Sequence, residues 1–435
     1  MRRDTATSRG DGIDVSLLRL LGLPVYLPSA LMAVGQMALL VVLPLYVLDL
    51  GAGTAVAALV FTMRGLGSVV VNVPASFFIE RYGHRTSMAA ANGLMSLAAL
   101  VIALSGSSLV VAGGTLLFGA GMGAWLLSRL AFITHLVPNV RRGTALSGLA
   151  GLQRMGLLVG PLLGGFGVGS VGYRAVFLAI ACTALVTALI IWVSIPTSVS
   201  TCETSESLEF ASESSRELTD RAAWPSGMLA LVPTILRRYR GIFLSAGLFV
   251  FSLQLLREQR RLLVVLWGTS LGLEVDDLGL IVSLAAAVDM AMFPVAGFVM
   301  DHWGRKAAGG SCIGVLSVAM GLLPFTETAT AFALVVLLAG LGNGLGSGII
   351  LTMGSDVAPR RGTSQFLGVW RMVGDVGALT GPLLTSVVAS LTVALGLSSV
   401  IGLVGGVVLC LFVDETLSVT VDSHQGSERE SRDAR

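Results

Sequence analysis

Ten charged side chains stand inside long apolar runs: Arg64, Arg129, Arg154, Arg257, Glu258, Arg260, Arg261, Asp289, Arg371 and Asp375. A charge at the centre of a membrane helix costs about 2.5 to 3.5 kcal/mol on insertion scales, so each of these needs a partner or a water-filled cavity. Asp289 and Asp375, and after them Glu258, can take up a proton and release a neighbouring arginine, which is the chemistry of a proton-driven cycle. Arg257, Arg260 and Arg261 share one helix face at i, i+3, i+4 spacing. With Arg129 and Arg371 they leave an excess of positive charge suited to an anionic or carbonyl-rich small molecule. The same arginines also admit a plainer reading, in which they snorkel or bond backbone carbonyls. Gln36, Trp125 and Asn343 are further candidates for the lining of a substrate cavity.

Other chemistries are excluded. No nucleophile, base and orienting group can be assembled, so no enzyme is expected. The four cysteines and four histidines are scattered without ligand spacing, and neither a metal nor a cofactor is expected. Gly167-Val-Gly169-Ser-Val-Gly172 matches a dinucleotide fingerprint, but it lies between two apolar runs with no preceding strand. Lys306 is the single lysine, which leaves no basic arm for nucleic acid.

The elements that must position these charges follow from composition. Of 435 residues, 54% are hydrophobic and 12% charged, with 54 glycines and a formal net charge of +2. That balance excludes a soluble globular chain and reads as an all-α polytopic membrane protein of tightly packed helices. Twelve transmembrane helices are expected, starting near residues 21, 54, 86, 109, 144 and 172, then 241, 277, 307, 329, 364 and 391. The first run, about Leu20 to Leu48, is too long for a signal peptide and reads as a retained span. The chain divides into a polar segment at 1–20, a six-helix bundle at 21–195, a linker at 196–240, a second six-helix bundle at 241–413 and a tail at 414–435. The linker opens on a Ser/Glu-rich stretch expected to be disordered and ends in LALVPTILRRYR, expected as a short basic helix on the membrane surface. Arginines crowd the even-numbered loops, while Asp49, Glu274, Asp276, Asp277 and Glu327 mark the odd ones. Both termini are therefore expected in the cytoplasm, in the cell's inner membrane.

The two halves repeat. Gly83 and Gly304, Glu80 and Asp301, and the pairs Gly160-Pro161 and Gly381-Pro382 are each 221 residues apart. Six spans return each copy to the same side, so the 6+6 repeat is parallel. One repeated motif is Gly297-Phe-Val-Met-Asp301-His-Trp-Gly304-Arg305-Lys306, with the looser copy Ser76-Phe-Phe-Ile-Glu80-Arg81-Tyr-Gly83-His84-Arg85. Its small residue suits close helix approach, its acid can cap a neighbouring helix, and its basic turn holds the loop in the cytoplasm. In span 5, Gly156, Gly160, Pro161 and Gly164 form a packing motif with a kink.

These motifs resemble those of the major facilitator superfamily, whose loop 2-3 signature matches 297–306 well and 76–85 loosely, and whose antiporter-associated gxxxGPxxGG pattern fits 156–165. The resemblance implies a secondary transporter working by alternating access, monomeric, with the motif acids in a cytoplasmic gate. A proton-linked exporter of a small organic molecule, with an organic anion among the candidates, is the leading expectation. The alternatives are an organic-anion uniporter or symporter of the same fold, and a membrane sensor that does not transport. The arginine that drug exporters of this family carry in span 4 is absent at Thr115. The resemblance also sets span 2 against span 11 and span 5 against span 8. Two cross-half ion pairs are then expected, Arg64 with Asp375 and Arg154 with Asp289, against a local Arg371–Asp375 pair one turn apart.

Overall fold

The computed structural model describes residues 21–137, 139–195, 226–359, 363–388 and 390–415. Residues 1–20, 196–225 and 416–435 lie outside the described residues, and with them the expected disorder of the Ser/Glu-rich linker and most of the tail.

In lipid a backbone N–H or C=O has no solvent partner, so apolar runs must close their own hydrogen bonds as helix. The first pass, α1, is Leu27–Asp49. The helix Thr54–Leu104 breaks at Gly83, whose φ of 76° ends one pass and begins another, giving α2 (54–82) and α3 (84–104). After α4 (Ser108–Leu136), the helix Asn139–Ser194 breaks in the same way at Gly172, φ 83°, into α5 (139–171) and α6 (173–194). The second half comprises α7 (Leu248–Ser270), α8 (Val275–His302), α9 (Gly304–Leu322), α10 (Ala329–Val357), α11 (Thr363–Val387) and α12 (Leu391–Phe412). Pro294, which lacks an N–H, follows the kink of α8 at Met292. No strand occurs among the described residues.

Among the described residues, ten helices are long and apolar enough to cross a membrane. The stretch Ala145–Ser194 counts once among them although Gly172 divides it, and Thr363–Val387 falls outside because Arg371 and Asp375 dilute its apolar character. Twelve passes in two bundles result, with α2, α4, α10 and α12 starting at 54, 108, 329 and 391, against 54, 109, 329 and 391 from the sequence.

The repeat extends to the backbone. Gly51 and Gly272, at φ 79° and 78°, and Gly83 and Gly304, at φ 76° and 90°, are 221 residues apart, as are two π-helical turns, Gly22–Tyr26 and Phe243–Gly247. A left-handed backbone of this kind is free of strain only for glycine.

Because lipid is as apolar as leucine, close van der Waals fit rather than hydrophobic burial holds such helices together. Gly156, Gly160 and Gly164 lay one face of α5 directly on α1, where an added Cβ would come within 2.5 Å of Ala33, 2.6 Å of Met37 and 3.1 Å of Val42. On an adjacent face Gly165 meets α8 of the other half, where a Cβ would stand 2.7 Å from the Val275 carbonyl. Gly65 of α2 fits under Leu379 of α11 in the same manner, at 2.7 Å. A shared apolar cluster joins Val41 and Leu45 of α1 to Leu263 and Val264 of α7. All these cross-half contacts lie toward the α1–α2 and α7–α8 loops, so that side of the molecule is sealed.

The expected short basic helix forms at Ser226–Arg238, before α7, and Ile235 anchors it in the second bundle at 8% exposure.

Candidate functional site

Among the described residues, cavities adjoin along the junction of the halves, and three of them bear on the charged side chains. The first, about 140 Å³, brings together Arg64 of α2, Glu258 of α7, and Arg371 and Asp375 of α11. The second, about 350 Å³, is lined by Arg154, Arg257, Glu258, Arg261, Asp289 and Asn343. The third, about 590 Å³, is an apolar groove between α2, α4 and α11 that shares Arg371 and Asp375 with the first.

Glu258 is the hinge of this arrangement. Its Oε2 lies 3.1 Å from Arg64 NH2, across the junction, while its Oε1 accepts from Arg261 of its own helix. The expected partner of Arg64 was Asp375, which instead stands 4.0 Å from Arg371 one turn away. Arg154 does not pair with Asp289 either. Its guanidinium stacks 3.7 Å from the ring centroid of Phe293, one turn further along α8, a cation–π contact that also crosses the junction. Asp289 is held within the second half, 3.9 Å from Arg260 and accepting from Asn343 Nδ2 at 2.5 Å.

Arg257 has a structural task. α10 is interrupted at Gly346–Gly348, where Gly348 adopts φ 85°, and the Gly346 carbonyl accepts from Arg257 NH2 at 2.9 Å as well as from the Ile349 N–H at 3.2 Å. Broken backbone at membrane depth is tolerated where a side chain or a cavity satisfies it. The Gly-rich run after Asn343 was the signal in the sequence for this break.

Arg260 lines none of these cavities, facing Asp289 instead, and neither do three expected residues of the first half, Gln36, Trp125 and Arg129. Gln36 is 9% exposed with Nε2 3.9 Å from Met95 sulfur; Arg129, 4% exposed, donates to Ser29 Oγ at 2.9 Å and lies 5.3 Å from the ring of Trp125. Each finds its partner inside the first bundle, which removes the need for a water-filled space.

At the repeated turns, Glu80 and Arg81 are exposed, Arg81 lies 5.7 Å from the Tyr82 ring, and Arg85 stacks 4.3 Å from Trp192. Two expectations for this motif change. A Cβ on Gly297 would meet nothing within 4 Å, so its smallness serves no helix contact here. The capping acid is not Asp301, 74% exposed and 4.0 Å from Arg305, but Glu415, which accepts from the backbone N–H of Arg305 at 2.8 Å and of Lys306 at 3.1 Å. Asp356 of α10 completes the clasp, accepting from Arg305 Nε at 3.0 Å. The sequence held no local sign of either acid, since Glu415 lies 110 residues from its partner. Glu415→Ala should therefore destabilise the second bundle by about 1 kcal/mol, the usual worth of a helix N-cap, read as a lowered unfolding midpoint in detergent. An unchanged midpoint would mean that the carboxylate adds nothing to α9.

The family profile described as Major Facilitator Superfamily matches residues 25–268 and 242–433. A multi-drug resistance efflux pump PmrA homolog of Lactococcus lactis subsp. lactis (strain IL1403) is 26% identical over 360 residues, 80% of this chain and 82% of the relative. Among solved structures, a POT family transporter in complex with a thioalcohol-conjugated peptide superposes with a TM-score of 0.70 at 13% identity, covering 91% of this chain and 96% of that one. A POT family transporter in complex with 5-aminolevulinic acid gives a TM-score of 0.70 at 12% identity over 91% and 96%.

Proposed function

Since the chain belongs to the major facilitator superfamily, we propose that it exports a small organic molecule by alternating access in exchange for protons. The observation that carries this reading is the Arg64–Glu258 pair at 3.1 Å, which ties the two halves at mid-membrane and borders both polar cavities. A proton on Glu258 removes the charge that holds Arg64, loosens the tie and lowers the cost of opening the sealed side. A chamber that accepts either the proton or the substrate, but not both, exchanges one for the other. Glu258 thus ranks ahead of Asp375 and Asp289, whose partners Arg371, Arg260 and Asn343 lie within the second half. The efflux-pump relative and the span 5 glycine motif support the outward direction. The basic loops support a cytoplasmic place for the Gly83 and Gly304 turns and both termini, in an inner membrane, with the chain acting as a monomer.

A second reading, an organic-anion uniporter or symporter, draws on the cavity where Arg154, Arg257 and Arg261 gather. Purified protein in liposomes with an enclosed pH-sensitive dye decides between them. Panels of organic anions, lipophilic cations and zwitterions are presented separately. Under the exchange reading, one panel triggers proton movement opposite to its own. Uptake without proton movement selects the uniporter, and binding without flux selects a sensor.

A further inference from the structure

The apolar groove extends beyond the ion pairs of the exchange reading, and its shape bears on the substrate. α2 and α11 touch where Gly65 meets Leu379 and part toward the Gly83 and Gly304 turns, with the groove filling the gap. Leu127 and Leu130 of α4 form its floor, Val369 and Val376 of α11 one wall, and Val232 of the short helix Ser226–Arg238 borders it. Val69 and Val376 on facing helices are 41% and 48% exposed, and Val70 beside them is 64% exposed. Apolar side chains left open at this depth belong against hydrocarbon, so the seam between α2 and α11 opens sideways to the bilayer. At about 30 Å³ for each water-sized group, a space of about 590 Å³ has room for one lipid-length chain.

At its inner end the groove meets the chamber of Arg64, Glu258, Arg371 and Asp375, two charges of each sign. The first two are tightly paired at 3.1 Å, with side chains only 12% and 17% exposed. Arg371 and Asp375 are 4.0 Å apart, 66% and 44% exposed, and line both the chamber and the groove. A head with one charge would capture one member of this pair and strand the other at membrane depth, an unfavourable exchange. A head carrying both charges replaces each partner with another.

We infer that the substrate is a single-chain zwitterionic amphiphile drawn from the bilayer through the α2–α11 seam. Its acidic group lies on Arg371, its ammonium on Asp375, and its chain in the groove. The inference rests on the transport reading for the fate of this ligand, not for its binding.

The test uses the full-length protein in phosphatidylcholine liposomes and a single-acyl phosphocholine carrying a diazirine at the chain end. After illumination, labelled peptides are mapped by mass spectrometry. Labelling is expected at Leu127, Leu130 and Val376, at least tenfold above the exposed apolar faces of α6 and α12. Unlabelled single-acyl phosphocholine should compete at least tenfold better than a fatty carboxylate or an alkyl trimethylammonium of equal length, and than phosphocholine without a chain. Val376→Trp, which fills the groove, should lower labelling of Leu127 and Leu130 tenfold, and Asp375→Asn should abolish the preference for the zwitterion over the carboxylate. Uniform labelling of the outer faces, equal competition by the chainless head, or a preference for a singly charged head would each overturn the inference, and the wild-type map alone suffices if a variant does not fold. Labelling as expected without proton-linked flux would leave this site standing and refute the exchange reading. Proton-linked flux of another compound without groove labelling would do the reverse.

Discussion

Glu258→Gln is expected to reduce proton-driven transport by about 100-fold or more while leaving substrate counterflow measurable. The amide keeps the shape of the side chain but can neither carry a proton nor balance Arg64 and Arg261, both of which lean on this carboxylate. Breaking one partner of a buried ion pair costs about 3 to 5 kcal/mol, and each 1.36 kcal/mol is about tenfold in rate. The double variant Arg64→Gln with Glu258→Gln removes the stranded cross-half cation. It should recover counterflow further without recovering the response to a pH gradient. Proton-driven flux at the wild-type rate in Glu258→Gln would transfer the coupling role to Asp375 or Asp289. Loss of counterflow in both variants would make the pair a structural tie with no part in coupling.

Gly165→Leu is the second large effect. Gly165 faces α8 across the junction, where even a Cβ would stand 2.7 Å from the Val275 carbonyl and 3.1 Å from the Asp276 and Gly279 Cα atoms. Overpacking costs about 1 to 3 kcal/mol, and here it falls only on the state in which the two halves are pressed together on this side. The variant should hold the seal apart, cut flux at least tenfold, and leave folding within each bundle intact. A reporter thiol at Val41, which lies at 2% exposure beneath the seal, is expected to react with a membrane-impermeant reagent in the variant and not in its absence. Cys182, Cys202 and Cys410 are first replaced by serine, which leaves the buried Cys312. Gly297→Ala, with open space around it, serves as the contrast and should change neither flux nor labelling. Wild-type labelling in Gly165→Leu would mean that α5 and α8 tolerate the bulk by sliding.

The helices and the repeat were readable because membrane physics is local. A run of about 20 apolar residues must be helical whatever surrounds it, and glycine ladders such as Gly156, Gly160 and Gly164 declare a contact face. Depth was readable as well, since Arg154 reaches Phe293, a single turn from the expected Asp289. The rotation of each helix about its own axis was not. Arg64 and Asp375 line one chamber, yet Arg64 turns toward α7 and Asp375 toward its own helix. The same freedom turned Arg129 and Gln36 into the first bundle, onto Ser29 and Met95. Glu415 escaped for another reason: a helix cap supplied from 110 residues away has no spacing rule.

The paired π-helical turns at Gly22–Tyr26 and Phe243–Gly247 record an order of events. A π turn corresponds to one residue added to an α-helix, and the same addition appears at the same place in both copies. The economical history is that the insertion came first and the gene doubled afterwards, so both copies inherited one rotated first helix. α1 and α7 have since diverged in every charged position, Glu258 and its arginines having no counterpart on α1. The half whose first helix is charged and the half whose first helix is apolar are thus specialised descendants of one ancestral bundle.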